Sequence, residues 1–197
     1  NPAGVWVYAK RADAPAVFVL SDLVLRNATK PVADFRDRTI LAFDRKAVTG
    51  LEVVTDGQLL AAEPEGTTRW KVTRPTASKG DEERITDFLD KLVFTKVKEF
   101  VAEAPASLAP YGLDRPARVT VWVGKEKDRA SRQLLLGKMD PSKKGVYAVR
   151  PGERSILLLE EELWQLLPKT VFDLRDKTLL SYERDKLAKL VLESPRG

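Results

Sequence analysis

The sequence contains no cysteine and no histidine, and a single methionine, in 197 residues. Without cysteine there is no disulfide and no thiolate metal site. Without histidine the usual zinc and iron sites are excluded. So are Ser–His and Cys–His nucleophile pairs and the commonest general base near neutral pH. Zero cysteine suits both the cytoplasm and the cell envelope, so it chooses no compartment. Long apolar runs are also missing. The longest aliphatic run is Ile156-Leu157-Leu158-Leu159, whereas a membrane helix needs about 20 apolar residues. No charged-then-apolar leader opens the chain. It begins at Asn1 rather than Met, and is expected to be a piece of a longer product. No G-x-x-x-x-G-K-[ST], G-x-G-x-x-G or G-x-S-x-G occurs, so no phosphate-cradling loop or nucleophile elbow is signalled.

What is present suits a folded domain with a well-solvated surface: 43% hydrophobic and 32% charged residues,. The net charge of +5 raises nucleic acid as a partner, but the distribution opposes it. Arg36-Asp37-Arg38, Lys125-Glu126-Lys127-Asp128-Arg129 and Asp173-Leu174-Arg175-Asp176-Lys177 mix both signs, whereas phosphate binding needs cations gathered on one face. Lys138, Lys143 and Lys144 come nearest to that, and read as solvated lysines near a turn.

The chain repeats itself at an offset of 139 residues. Between 7–53 and 146–192, 14 of 47 positions are identical without a gap, where chance at average composition gives about three. Asp34-Phe35-Arg36-Asp37-Arg38-Thr39 falls on Asp173-Leu174-Arg175-Asp176-Lys177-Thr178. Residues 1–50 then read as the C-terminal part of a preceding unit, 51–189 as a complete unit, and 190–197 as the start of a following unit or a tail.

Local patterns point to an α+β fold of short antiparallel hairpins with a few amphipathic helices. Strands are predicted at 5–9, 16–20, 51–55, 58–62, 68–73, 97–101, 118–123, 133–136, 146–149 and 155–159. Asp56-Gly57 between apolar runs is a hairpin turn with two positive φ angles. Asp81 caps a helix over 82–95 whose buried stripe is Ile85, Phe88, Leu89 and Leu92. Ser21-Asp22 opens a short helix that Pro31 ends. Glu160-Glu161-Glu162 opens another, which Pro168 stops. Leu108–Tyr111 reads as a helical turn closed by Gly112.

The twin Asp-x-Arg-Asp-x-Thr segments are the first candidates for chemistry. One reading makes Asp34, Asp37, Asp173 and Asp176 metal ligands or acid–base groups. The favoured reading makes Asp34, Arg36, Asp37, Thr39, Asp173, Arg175, Asp176 and Thr178 structural corners of the repeat, with the apolar residue as anchor, because diverged repeats seldom keep a catalytic site twice. Neither copy has calcium-loop spacing. Ser142-Lys143-Lys144 could form a Ser–Lys dyad only on weak evidence. Trp6, Trp70, Trp122 and Trp164 read as core or half-buried rim.

The order of several motifs carries a resemblance. Trp70-Lys71-Val72 and Pro75 are followed by Leu108-Ala109-Pro110-Tyr111-Gly112-Leu113-Asp114 with Pro116. Then come Leu134-Leu135-Leu136-Gly137-Lys138, Val146-Tyr147-Ala148 and Leu174-Arg175-Asp176-Lys177. This resembles the bacterial domain of unknown function 4340 over about 51–189, with 1–50 matching the tail of a preceding unit. The resemblance implies a domain outside the cytoplasm, anchored by an N-terminal membrane helix, and encoded near gliding-motility-type ABC transporters as an accessory. It supplies no catalytic residue. The expectation is therefore a non-catalytic binding or scaffold module of the cell envelope, with ABC transporter subunits as protein partners, no nucleic acid and no cofactor. The alternatives are a carboxylate hydrolase with a cleft between units, and a basic surface for an anionic polymer.

Overall fold

A computed structural model describes residues 5–178, 184–186, 188, 189 and 191. The chain divides into two compact units, Asn1–Arg38 and Thr39–Gly197.

In unit 1, β1 (Trp6–Lys10) and β2 (Val17–Ser21) form an antiparallel hairpin followed by α1 (Asp22–Ala28). Ser21 caps α1 by accepting a hydrogen bond from the Leu23 amide at 3.3 Å, as the Ser21-Asp22 signal predicts. A short 3-10 turn follows at Val32–Phe35. Among the described residues of this unit none is buried.

Unit 2 is one twisted sheet with helices on its main face. Its strands are β3 (Val48–Thr55), β4 (Gln58–Glu65), β5 (Arg69–Arg74), β6 (Ser78–Lys79), β7 (Glu99–Glu103), β8 (Ala117–Val123), β9 (Ala130–Asp140), β10 (Gly145–Val149) and β11 (Ser155–Glu160). Their order across the sheet is β6-β5-β4-β3-β8-β9-β10-β11-β7, and every pairing is antiparallel. The class is α+β. The separate hairpins legible in the sequence thus merge into a single sheet. Two non-local pairings do this: β3 against β8, and β7 against β11.

The β3–β4 turn has Asp56 at φ 49° and Gly57 at φ 79°, the two positive angles its Asp-Gly pair demands. From the β6 edge the chain runs through α2 (Glu82–Phe94) to β7 at the opposite edge. The Asp81 side chain accepts from the Arg84 amide at 3.0 Å, and Ile85, Phe88, Leu89 and Leu92 are buried. Beside α2 lie α3 (Glu161–Leu166) and α4 (Val171–Leu174). Their Leu163 and Leu174, with Leu167, join Leu51, Val53, Val119, Val121, Leu134 and Leu136 in the main core.

A smaller cluster of Leu113, Val149 and Ile156 lies on the other face, with Tyr111, Leu135 and Tyr147 against it. That second cover explains why the Ile156–Leu159 run is apolar at every position rather than alternating. Most strands shift or extend by one to three residues from their sequence limits, and β6 was not among the predicted strands. β7 starts at Glu99 rather than Val97, because its ladder with β11 begins at the pair Leu158↔Glu99. β9 is much longer than 133–136, because it pairs along its length with both β8 and β10.

The repeat has a structural counterpart. At the 139-residue offset β1 falls on β10, β2 on β11 and α1 on α3. The register is the same too: Val7↔Leu20 matches Val146↔Leu159, and Tyr8↔Val19 matches Tyr147↔Leu158. Ser21 and Glu160, which precede the two helices, share φ −62° and ψ 142°. Residues 39–50, which the repeat phase places at the end of the first copy, pack within unit 2, where Ile40, Leu41 and Val48 are buried.

Candidate functional site

The two Asp-x-Arg-Asp-x-Thr segments fall in different settings. In the second copy, the Asp173 carboxylate caps the start of α4. It accepts from the Lys169 and Thr170 amides at 3.0 and 2.8 Å and from the Thr170 hydroxyl at 3.0 Å. Burial pushes its pKa up, but these bonds and the charge of Arg84 outweigh it and the net shift is downward,. Arg175 bridges Gly80. The Asp176 amide bonds to Lys79 O at 3.0 Å, and its carboxylate pairs with Lys79 and accepts from the Thr178 amide at 2.8 Å. Its pKa is held well below the usual range, first by the bond from Lys79 and then by those from Thr178. Between these polar ties Leu174 is fully buried. This corner fastens the chain to β6 and to the start of α2, where the Asp81 amide bonds to Leu174 O at 2.7 Å.

In the first copy, Asp34 pairs with Arg38 at 3.7 Å. Phe35, at the position of Leu174, is 70% exposed. Asp34, Arg36 and Asp37 lie in unit 1 and Thr39 in unit 2. Within unit 2, Thr39 bridges Lys96, accepts from its ammonium at 3.1 Å, and offers its carbonyl to the Arg150 guanidinium.

The remaining candidates separate similarly. The Ser142 hydroxyl donates to Asp140 at 2.6 Å, while the Lys143 ammonium lies on Glu99 at 2.9 Å, so each half of the suggested dyad has a different partner. Tyr147 donates to Asp140 at 2.5 Å and meets the Tyr111 ring edge-on at 5.1 Å. The hydroxyls of Ser142 and Tyr147 hold the Asp140 pKa down to about 2, and the Asp140 carboxylate pushes Tyr147 up to about 12. Trp70 is buried, Trp122 and Trp164 are half-buried, and Trp6 is 64% exposed.

What the sequence left unassembled is a pocket of about 350 Å³ in unit 2. Asp56, Gly112, Arg115, Lys138, Trp164 and Lys169 are among the residues that line it, with Gly137. Two of the motifs quoted above build its wall. Gly112 stands at φ 67°, where an added Cβ would lie 2.7 Å from the Lys138 amide nitrogen. A Cβ on Gly137 would fall 2.1 Å from Tyr111 O. Only glycine lets the Tyr-Gly-Leu-Asp turn lie this close to the Leu-Gly-Lys segment of β9. The Lys169 ammonium sits 5.0 Å from the Trp164 ring centre. Three cations against one carboxylate, beside an indole face, favour an anionic group with an apolar or planar body. The signal was present in the sequence only as scattered Lys, Arg and Trp, because the pocket joins residues from 55 to 169.

A wider groove of about 900 Å³ carries Arg45, Lys46, Arg69 and Lys125 beside Glu63 and Glu82. Arg45 is already paired with Asp90, so charge there is largely offset. Among the described residues no cluster of three or more acidic side chains is placed to hold a metal ion, and no helix is long and apolar enough to cross a membrane.

No curated protein and no solved structure matches the chain. One family does match, over residues 1–101 and again over 70–197, and two overlapping matches accord with the internal repeat. With that coverage, the chain belongs to the family of the domain of unknown function (DUF4340).

Proposed function

We propose that this chain is a non-catalytic binding or scaffold module of the bacterial cell envelope, accessory to an ABC-type transport system. The pocket beside Trp164 is the seat for an acidic element of its protein partner. The observation that carries the binding reading is the pocket's lining: Arg115, Lys138 and Lys169 share it with Trp164 and glycine-bared backbone, Lys169 lying over the indole. The envelope and transporter setting rests on the family resemblance.

No carboxylate with a resolved shift has the raised pKa of a general acid. A general acid near neutral pH needs its pKa raised by burial or by a like charge. The resolved shifts of Asp13, Asp140, Glu162, Asp173 and Asp176 all run downward, each held by hydrogen bonds or a cation.

Tagged full-length protein, crosslinked in its native host and analysed by mass spectrometry, tests the proposal. ABC transporter subunits are expected in the crosslinked material. Their recovery is expected to fall about tenfold, the equivalent of ~1.4 kcal/mol, in a Lys138→Glu, Lys169→Glu variant. A clean preparation with no membrane partner would sink the accessory role. The same cations also suit an anionic envelope polysaccharide. Direct, salt-sensitive binding of such a polymer by the purified protein, with no transporter subunit in the crosslinked material, would favour the polysaccharide.

A further inference from the structure

We infer that the apolar side of unit 1 is the seat of a further repeat unit of the same polypeptide, N-terminal to β1 and folded as Val48–Asp140 is. The warrant is that the chain holds the same hairpin twice, once covered and once bare. In the covered copy, β10 pairs with β9 through Val146↔Met139 and Ala148↔Leu136, and β11 pairs with β7 through Leu157↔Phe100. Helix α2 lies against α3 and α4. As a result Leu157, Leu158, Leu163 and Leu174 are at most 1% exposed.

The bare copy has the same register and the same turn into its helix, yet among the described residues β1 and β2 pair only with each other. The residues at those four positions are again large and apolar: Phe18, Val19, Val24 and Phe35. They are 46%, 56%, 51% and 70% exposed. A two-stranded hairpin with an apolar face is marginal by itself, and two open strand edges invite added strands.

The shape of the cover is therefore known from the other copy. It supplies one strand to β1 in the register of β9, one to β2 in the register of β7, and a helix beneath α1 in the place of α2. The repeat selects a unit of the same polypeptide over a separate partner: the fold that covers the second copy is carried by this chain itself, and its β9 leads into β10 through the short turn 141–144. The downstream side behaves alike, since residues 39–50 end one copy and pack Ile40, Leu41 and Val48 into the next.

The test compares residues 1–197 with the same chain extended by the sequence its gene encodes immediately upstream. Because the protein has no cysteine, a Val19→Cys variant reports one site. In 1–197 it should react with a maleimide nearly as fast as an unfolded peptide. In the extended chain it should react roughly 100-fold more slowly, the protection of a closed core position. Leu158→Cys, the same position in the covered copy, should be slow in both and shows that each protein is folded. Hydrogen exchange of the unsubstituted chains avoids any effect of substitution: amides 17–21 should slow to the level of 155–160 only in the extended chain. Equal rates in the two chains overturn the inference. So does a gene with no coding sequence upstream of Asn1.

Discussion

Tyr147 and Asp140 define one another's protonation state. The Asp140 carboxylate accepts from the Ser142 hydroxyl first and from the Tyr147 phenol second and is held down to about 2, while the phenol is raised to about 12. The lowered carboxylate stabilises the fold above its unfolded pKa near 4, and that contribution is lost as pH falls through about 2. The raised phenol contributes below its unfolded pKa near 10, and its contribution is lost as pH rises through about 12. Tyr147→Phe should move the Asp140 titration upward in a carboxyl NMR measurement. Its stability deficit in urea should shrink as pH falls from 7 to 2. Glycines differ just as locally. Gly57→Ala meets open space at φ 79° and should cost about 1 kcal/mol. Gly137→Ala drives a methyl into Tyr111 O and should cost roughly 3 kcal/mol, with loosening of the pocket wall.

The two copies of the hairpin and corner show that an element's sequence does not set its burial. Leu174 and Phe35 hold the same repeat position, yet one is fully buried and the other largely exposed. In residues 1–197, Leu174→Ala should lower stability by about 2–5 kcal/mol, whereas Phe35→Ala should stay within about 0.5 kcal/mol. Denaturant unfolding of the two variants checks the contrast. For α2, Asp81 both caps the first turn and lies 3.5 Å from the Lys177 ammonium. Asp81→Ala should cost about 1 kcal/mol, visible as a lower midpoint with unchanged slope. At the other end of that helix the buried Thr95 hydroxyl has no hydrogen-bond partner among the described residues. Thr95→Val should be neutral or slightly stabilising.

At the scale of the molecule, unit 2 is a sheet whose order departs from sequence order at two seams, β3–β8 and β7–β11. The pocket lies where the resulting turns and α3 meet. Its cations are on the surface, so the Lys138→Glu, Lys169→Glu variant should keep its melting temperature while losing partner recovery. A matched fall in both would mean that the pocket supports the fold instead of a partner.

Much of this was legible along the chain, because it depends on neighbours. The Asp56-Gly57 turn follows from positive φ. α2 follows from its cap and its 3.6-residue stripe. The twin copies follow from identity at one offset, and the α+β class from the sum. Exclusion of thiol and imidazole chemistry needed only a count of residues. What the linear sequence could not decide was anything requiring residues far apart to choose one another. The alternation of Val119, Val121 and Val123 marks a strand with one inner face. It left open which strand lies beside β3, since many apolar strands satisfy one period-2 pattern. Only the folded sheet placed Gly112 on Lys138, Gly137 on Tyr111 and Trp164 beside Lys169. Only it left Phe18 and Val19 bare where Leu157 and Leu158 are covered. The physical reason is common to all of these: a local pattern specifies which face of an element is apolar, and tertiary packing alone specifies what that face meets.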